Sequence, residues 1–309
     1  MTHLSKAIFL ALSLMLAGCT SIQNQLSTWT IDSVRALAHL QARQVQVGNF
    51  MISYLEGGQG ETVFFLHGFQ SNKDIWIKLA AQLTQHYHVI AIDLPAHGNS
   101  TVLMDQNYSV PEQTQRVVAI MEKLQLTRPV HVMGHSMGGA IALYLTVTAP
   151  EHVKSLALMS AAGVTSPTPS ELMTRLQHGE NPLIVHNEQD YKNMLAFTMN
   201  DAPFIPSPLL ATLTREAIAR EPIATKIFKE IQAKSSINIE QAMRQIKVPT
   251  LVIWGDKDRV LDVSSTTIFQ GLIPKTQVVI LKNVGHTPQL ERTKDTALAY
   301  ETFLAALPE

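Results

Sequence analysis

The segment best suited to covalent chemistry is Gly134-His135-Ser136-Met137-Gly138-Gly139. An apolar, strand-like run (130–133) precedes it, and a helix-like run (140–145) follows. Glycines two residues either side of a serine let a strand turn abruptly into a helix, which lifts the hydroxyl above the strand ends. The N-terminus of that helix also offers unpaired N–H groups to a developing negative charge. The bland alternative is a Gly-rich turn with an incidental serine, and the strand and helix on either side weigh against it. A serine hydroxyl is a weak nucleophile until a base removes its proton. A base and an acid to orient it are therefore the next residues to find.

On such a turn the nucleophile is followed in chain order by the acid and then the histidine. Downstream lie His152, His178, His186 and His286. His286, in Asn283-Val284-Gly285-His286-Thr287-Pro288, follows the last strand-like run, where an open α/β sheet places its active site. His152 falls at the other end of the sheet, and His178 and His186 fall in an inserted helical region, so His286 is the expected base. The acid should come from Trp254-Gly255-Asp256-Lys257-Asp258, after the run at 250–254. Asp256 and Asp258 both qualify, and spacing does not choose between them. Asp93 precedes the serine and reads as a turn cap. The oxyanion hole needs two backbone donors. Met137, next to the nucleophile, should supply one, and Phe69, in His67-Gly68-Phe69-Gln70, the other. His67 reads as a structural hydrogen-bonder.

These residues need a scaffold that brings distant loops together. Strand-like runs at 51–56, 63–66, 88–93, 130–133, 155–160, 250–254 and 277–281 alternate with helical stretches near 74–86, 111–125, 137–148, 262–272 and 292–306. Continuous apolar runs suit strands buried on both faces, and the alternation predicts a doubly wound, mostly parallel α/β sheet. Between 165 and 247 the alternation stops, and several proline-broken helices are expected to form a cap inserted in the core. Core segments are placed at 45–164 and 248–309. Residues 30–43 have apolar residues at helical spacing and predict a short packed helix. Met194, Leu195, Phe197, Met199, Phe204 and Ile205 cluster in the cap, either as an acyl-binding wall or as its own core.

The 309 residues carry 24 basic and 25 acidic side chains, which argues against nucleic acid as a partner. A single cysteine excludes an internal disulfide framework and a cysteine zinc site.

The motifs together resemble the α/β-hydrolase superfamily over residues 45 to 307. The stretch His67-Gly68-Phe69-Gln70-Ser71-Asn72-Lys73-Asp74-Ile75-Trp76 and the turn Asp93-Leu94-Pro95-Ala96-His97-Gly98-Asn99-Ser100 resemble those of bacterial family V lipases and monoacylglycerol lipases. Ala96 departs from the glycine common in that turn. The resemblance selects Asp258 as the acid. It implies an ester hydrolase with a Ser136–Asp258–His286 triad and Phe69 and Met137 as oxyanion donors, with no metal or organic cofactor. Its substrates would be acylglycerols or other acyl esters. A carbon–carbon bond hydrolase of the meta-cleavage type and an acyltransferase share this fold and triad, and a silent envelope binding protein is a third alternative.

The chain opens with Lys6 and an apolar run too short to span a bilayer, which fits a secretory leader. The run ends in Leu16-Ala17-Gly18-Cys19, which resembles the lipobox of bacterial lipoproteins. The resemblance implies a signal peptide over 1–18 and lipidation of Cys19. The polar residues 20–29 read as a tether, which with the short helix makes up 19–44. Thr20 after the cysteine would favour the outer membrane.

Overall fold

The structure, a computed structural model, describes residues 31–307 apart from Pro203, Pro206 and 234–236. The leader, Cys19 and the tether read over 20–29 lie outside the described residues. Eight strands form one sheet in the order β1-β2-β4-β3-β5-β6-β7-β8. They are β1 (Leu40–Val47), β2 (Phe50–Gly57), β3 (Thr62–Leu66), β4 (His88–Ile92), β5 (Val130–His135), β6 (Val153–Met159), β7 (Thr250–Gly255) and β8 (Thr276–Leu281). β1, β2 and β4 pair antiparallel, and the strands from β4 to β8 pair parallel. This is the doubly wound, mostly parallel sheet that the alternation of runs predicts.

Helices cover both faces because β3, β5, β6 and β7 are buried almost throughout. On one face, α3 (Val110–Lys123), α4 (Met137–Thr148) and α10 (Ser265–Leu272) pack over Phe64, Val132, Leu156, Leu158 and Trp254. On the other, α2 (Ile77–Leu83) and α12 (Thr293–Ala305) cover Phe65, Met133, Ala157 and Ile253. Between β6 and β7 lie α5 (Glu171–Gln177), α6 (Glu188–Thr198), α7 (Ser207–Ala219), α8 (Glu221–Ile231) and α9 (Ile239–Met243). Phe197 of α6 and Leu172 of α5 pack on Val260 in the loop after β7, a small second core between cap and sheet.

The helix expected over 30–43 is corrected. Helix α1 occupies 31–37, and the chain then turns through His39 into β1 at Leu40. β1 pairs with β2 through the tight Gly48–Asn49 turn. As an exposed edge strand with three glutamines and an arginine, it lacks the apolar alternation that marks its neighbours. The tether therefore gives way to the sheet at Leu40, not at 45.

Candidate active site

The sheet order reverses at β3, whose neighbours β4 and β5 lead the chain away in opposite directions. The loops leaving β3 and β5 diverge there and open a crevice at the strand ends. Ser136 sits in this crevice, at the junction of β5 and α4, with φ 54° and ψ −118°. A non-glycine residue in that region costs about 1–3 kcal/mol, so its surroundings must enforce it. They do so by close packing. A side chain at Gly134 would overlap the Gly138 carbonyl, and one at Gly138 would overlap the carbonyls of Leu66 and His67. The Ser136 N–H donates to the Met159 carbonyl at 3.1 Å, and the Ser136 carbonyl accepts from Ala162 N–H at 3.0 Å.

The loop after β3 lies against this turn. A methyl group placed on Gly68 would meet Ser136 Cβ at 3.0 Å, so the backbone leading to Phe69 passes beside Ser136. Met137 opens α4, so its N–H has no partner one turn back in the helix. The Phe69 ring packs against the core and lies 5.4 Å from the Phe228 ring of α8. Two buried groups anchor the loop. The His67 ring meets the Gly68 carbonyl at 2.8 Å through Nδ1 and accepts from Leu94 N–H at 3.0 Å through Nε2. Nε2 must be unprotonated to accept, which agrees with burial pushing the imidazole down to about 4. Lys73 Nζ donates to Asp93 Oδ2 at 2.8 Å, and Lys73 N–H donates to Oδ1 at 2.7 Å. Asp93 is thus committed to the β3 and β4 loops.

Asp258 and His286 are brought together across the loops after β7 and β8. His286 Nδ1 donates to Asp258 Oδ2 at 2.8 Å, and both side chains are almost wholly enclosed. Asp258 Oδ1 accepts from the N–H groups of Val260 and Leu261 at 2.9 and 3.0 Å. With Nδ1 as donor, the lone pair of His286 lies on Nε2. Asp256 faces elsewhere and accepts from Asn283 N–H at 2.6 Å. It braces the histidine loop from below.

Sequence reasoning left His135 without a role. Its Nε2 donates to the His286 carbonyl at 2.7 Å, and the two rings stand 4.8 Å apart. The residue before Ser136 is thereby tied to the His286 loop. Desolvation holds His135 well below the usual imidazole range, so it serves as a neutral donor. Glu291 was also missed. The only signal was an acid one turn after Pro288, which opens the four-residue helix α11 (Pro288–Glu291).

The apolar cap cluster divides. Phe197 and Met199 are buried and Phe197 belongs to the cap core, whereas Phe204 is 90% exposed and joins neither a wall nor a core. The cap arginines have partners of their own. Arg175 pairs with Glu171 and lies over the Phe197 ring, and Arg220 donates to the carbonyls of Ala96 and Gly98. Arg215 donates to Thr212 Oγ1.

Residues 61–293 match the family described as alpha/beta hydrolase fold. The chain is 33% identical to a lipase of Moraxella sp. (strain TA144), called Lipase 3, over 94% of each chain. It is 31% identical to a human monoacylglycerol lipase, over 87% of this chain and 83% of that one. Among solved structures, it superposes with a TM-score of 0.90 on a bacterial membrane phospholipase A described as a virulence factor. That protein is 38% identical, and the match covers 97% of this chain and 98% of the other.

Proposed function

The chain belongs to the alpha/beta hydrolase fold family and is an ester hydrolase of the lipase and esterase kind, and on that premise we propose its catalytic residues. Ser136 is the nucleophile, His286 the base and Asp258 the orienting acid. The observation that carries this assignment is the enclosed Asp258–His286 hydrogen bond, tied through His135 to the turn that holds Ser136 at a strained positive φ.

The Ser136 hydroxyl oxygen attacks the ester carbonyl carbon while its proton passes to His286 Nε2. Asp258 holds Nδ1–H and stabilises the imidazolium that forms. The oxyanion receives the N–H groups of Phe69 and Met137. As the tetrahedral intermediate collapses, the C–O bond breaks and His286 returns the proton to the leaving alcohol. Water, deprotonated by His286, then attacks the acyl-enzyme and releases the acid, and the serine is regenerated.

The substrates we propose are acylglycerols or other acyl esters, in keeping with the names of the relatives. The engaged cap arginines favour ester cleavage over the carbon–carbon cleavage of charged dienoates. Cys19 is the proposed lipid anchor and the outer membrane the proposed site, supported by the Leu16-Ala17-Gly18-Cys19 pattern, by Thr20, and by the likeness to a membrane phospholipase A. Release of fatty acid from monoacylglycerols and phospholipids of graded chain length tests the substrate class. Activity on short water-soluble esters alone would limit the enzyme to an esterase. Fractionation of cells carrying Cys19→Ala tests the anchor: the variant should leave the membrane fraction, and retention there would refute lipidation as the attachment.

A further inference from the structure

The loop that carries His286 is held by a carboxylate outside the proposed triad. Gly285 N–H donates to both oxygens of Glu291 at 3.1 Å. On the far side of His286, Thr287 N–H reaches Oε1 at 3.3 Å and the Thr287 hydroxyl reaches it at 3.2 Å. Oε2 of the same carboxylate accepts from Asn200 N–H at 2.7 Å and Asp201 N–H at 2.9 Å, just beyond the end of α6 in the cap. The backbone on either side of the base and the end of a cap helix therefore share one anion.

Neighbouring bonds run the same way. His286 N–H donates to the Thr198 carbonyl at 2.7 Å, and Asn200 Nδ2 donates to the Asn283 carbonyl at 3.1 Å. On the acid side, the Arg259 guanidinium donates to the carbonyls of Ala196 and Met199, the latter at 3.1 Å. The end of α6 is thus bonded to both loops that carry Asp258 and His286.

Resting on the assignment of His286 as base, we propose that Glu291 is a positioning residue that locks the His286 loop to the end of α6, so that base and cap are one hydrogen-bonded unit. The chemistry requires a carboxylate. Every group facing Glu291 in these bonds is a donor, and a carboxylate only accepts, whereas a glutamine would turn an NH2 group toward N–H groups. Small displacements of a base are costly: a shift of about 1 Å can cost roughly a hundredfold in rate. Because α6 holds the base, displacing this end of the cap would displace His286 with it.

The test compares the full chain with Glu291→Gln and Glu291→Asp by steady-state hydrolysis of a soluble p-nitrophenyl ester. It also follows the downfield proton resonance of His286 Nδ1–H, identified by its loss in His286→Gln. Glu291→Gln should lower kcat by roughly ten- to a hundredfold with KM within about twofold. The resonance should shift or exchange faster at a temperature where the variant is fully folded. Glu291→Asp keeps both acceptor oxygens on a shorter stem and should recover part of kcat; should Glu291→Gln not fold, the same two readouts on this variant decide. Wild-type kcat with an unchanged resonance would overturn the proposal. So would a loss of activity that only follows a lowered Tm while the resonance stays in place. If the wild-type chain hydrolyses no ester but the resonance is present and moves in Glu291→Gln, the ester reading falls and the positioning role stands.

Discussion

At the scale of single residues, the two aspartates after β7 divide the work. Asp258 faces His286 Nδ1 at 2.8 Å, while Asp256 turns to Asn283 N–H at 2.6 Å. Asp258→Asn removes the acceptor that fixes the imidazole tautomer and should lower kcat by roughly three to four orders of magnitude. Asp256→Asn keeps an oxygen for Asn283 and should cost about tenfold or less. Steady-state kinetics of both variants on one ester checks this, and equal losses would contradict the division. The sequence placed both candidate acids in the loop after β7 but could not choose, because two residues of one short turn differ only in the direction they point. The resemblance to lipases, not spacing, singled out Asp258. His135 and Glu291 were illegible for a related reason: His135 bonds the His286 carbonyl far along the chain, and Glu291 joins nearby Gly285 and Thr287 to distant Asn200 and Asp201, and such long-range bonds leave no trace in local pattern.

At the scale of elements, the legible parts were those with strong periodicity. Buried runs such as Val-Phe-Phe-Leu announce β3, and the glycines around Ser136 announce the β5–α4 turn. β1 was missed because an edge strand faces solvent and needs few apolar residues. The four residues of α11 are too few to show a period. The loop after β3 depends on a buried ion pair, with Lys73 1% and Asp93 0% exposed. Lys73→Met leaves the Asp93 carboxylate buried without its counter-charge and should destabilise the fold by about 3–5 kcal/mol. Replacing both partners with apolar residues should cost less than the single change, although Asn99 N–H and Lys73 N–H would then lose their acceptor. Urea unfolding measures both. A loss under about 1 kcal/mol for Lys73→Met would mean that the pair does not hold the loop.

At the scale of the whole molecule, several histidines are buried neutral around the site. Burial pushes His67 to about 4 and His97 to about 3, against 6.5 for the free side chain. As pH falls below 6.5 the unfolded chain takes up protons that the folded one refuses, so stability is full above pH 6.5. It is lost between 6.5 and about 4 for His67, and down to about 3 for His97. Each imidazole contributes a slope of roughly 1.4 kcal/mol per pH unit within its window. The urea midpoint should hold from pH 8 to about 7 and fall steeply below, and His97→Gln should flatten the fall. A midpoint indifferent to pH between 7 and 5 would contradict the burial of neutral imidazoles. Formation of the acyl-enzyme on Ser136 is checked by labelling with a fluorophosphonate, which phosphonylates an activated serine. Mass spectrometry of the labelled peptide should place the adduct on Ser136, with ester turnover abolished in step with labelling and absent in Ser136→Ala. An adduct elsewhere, or undiminished turnover in folded Ser136→Ala, would contradict the account.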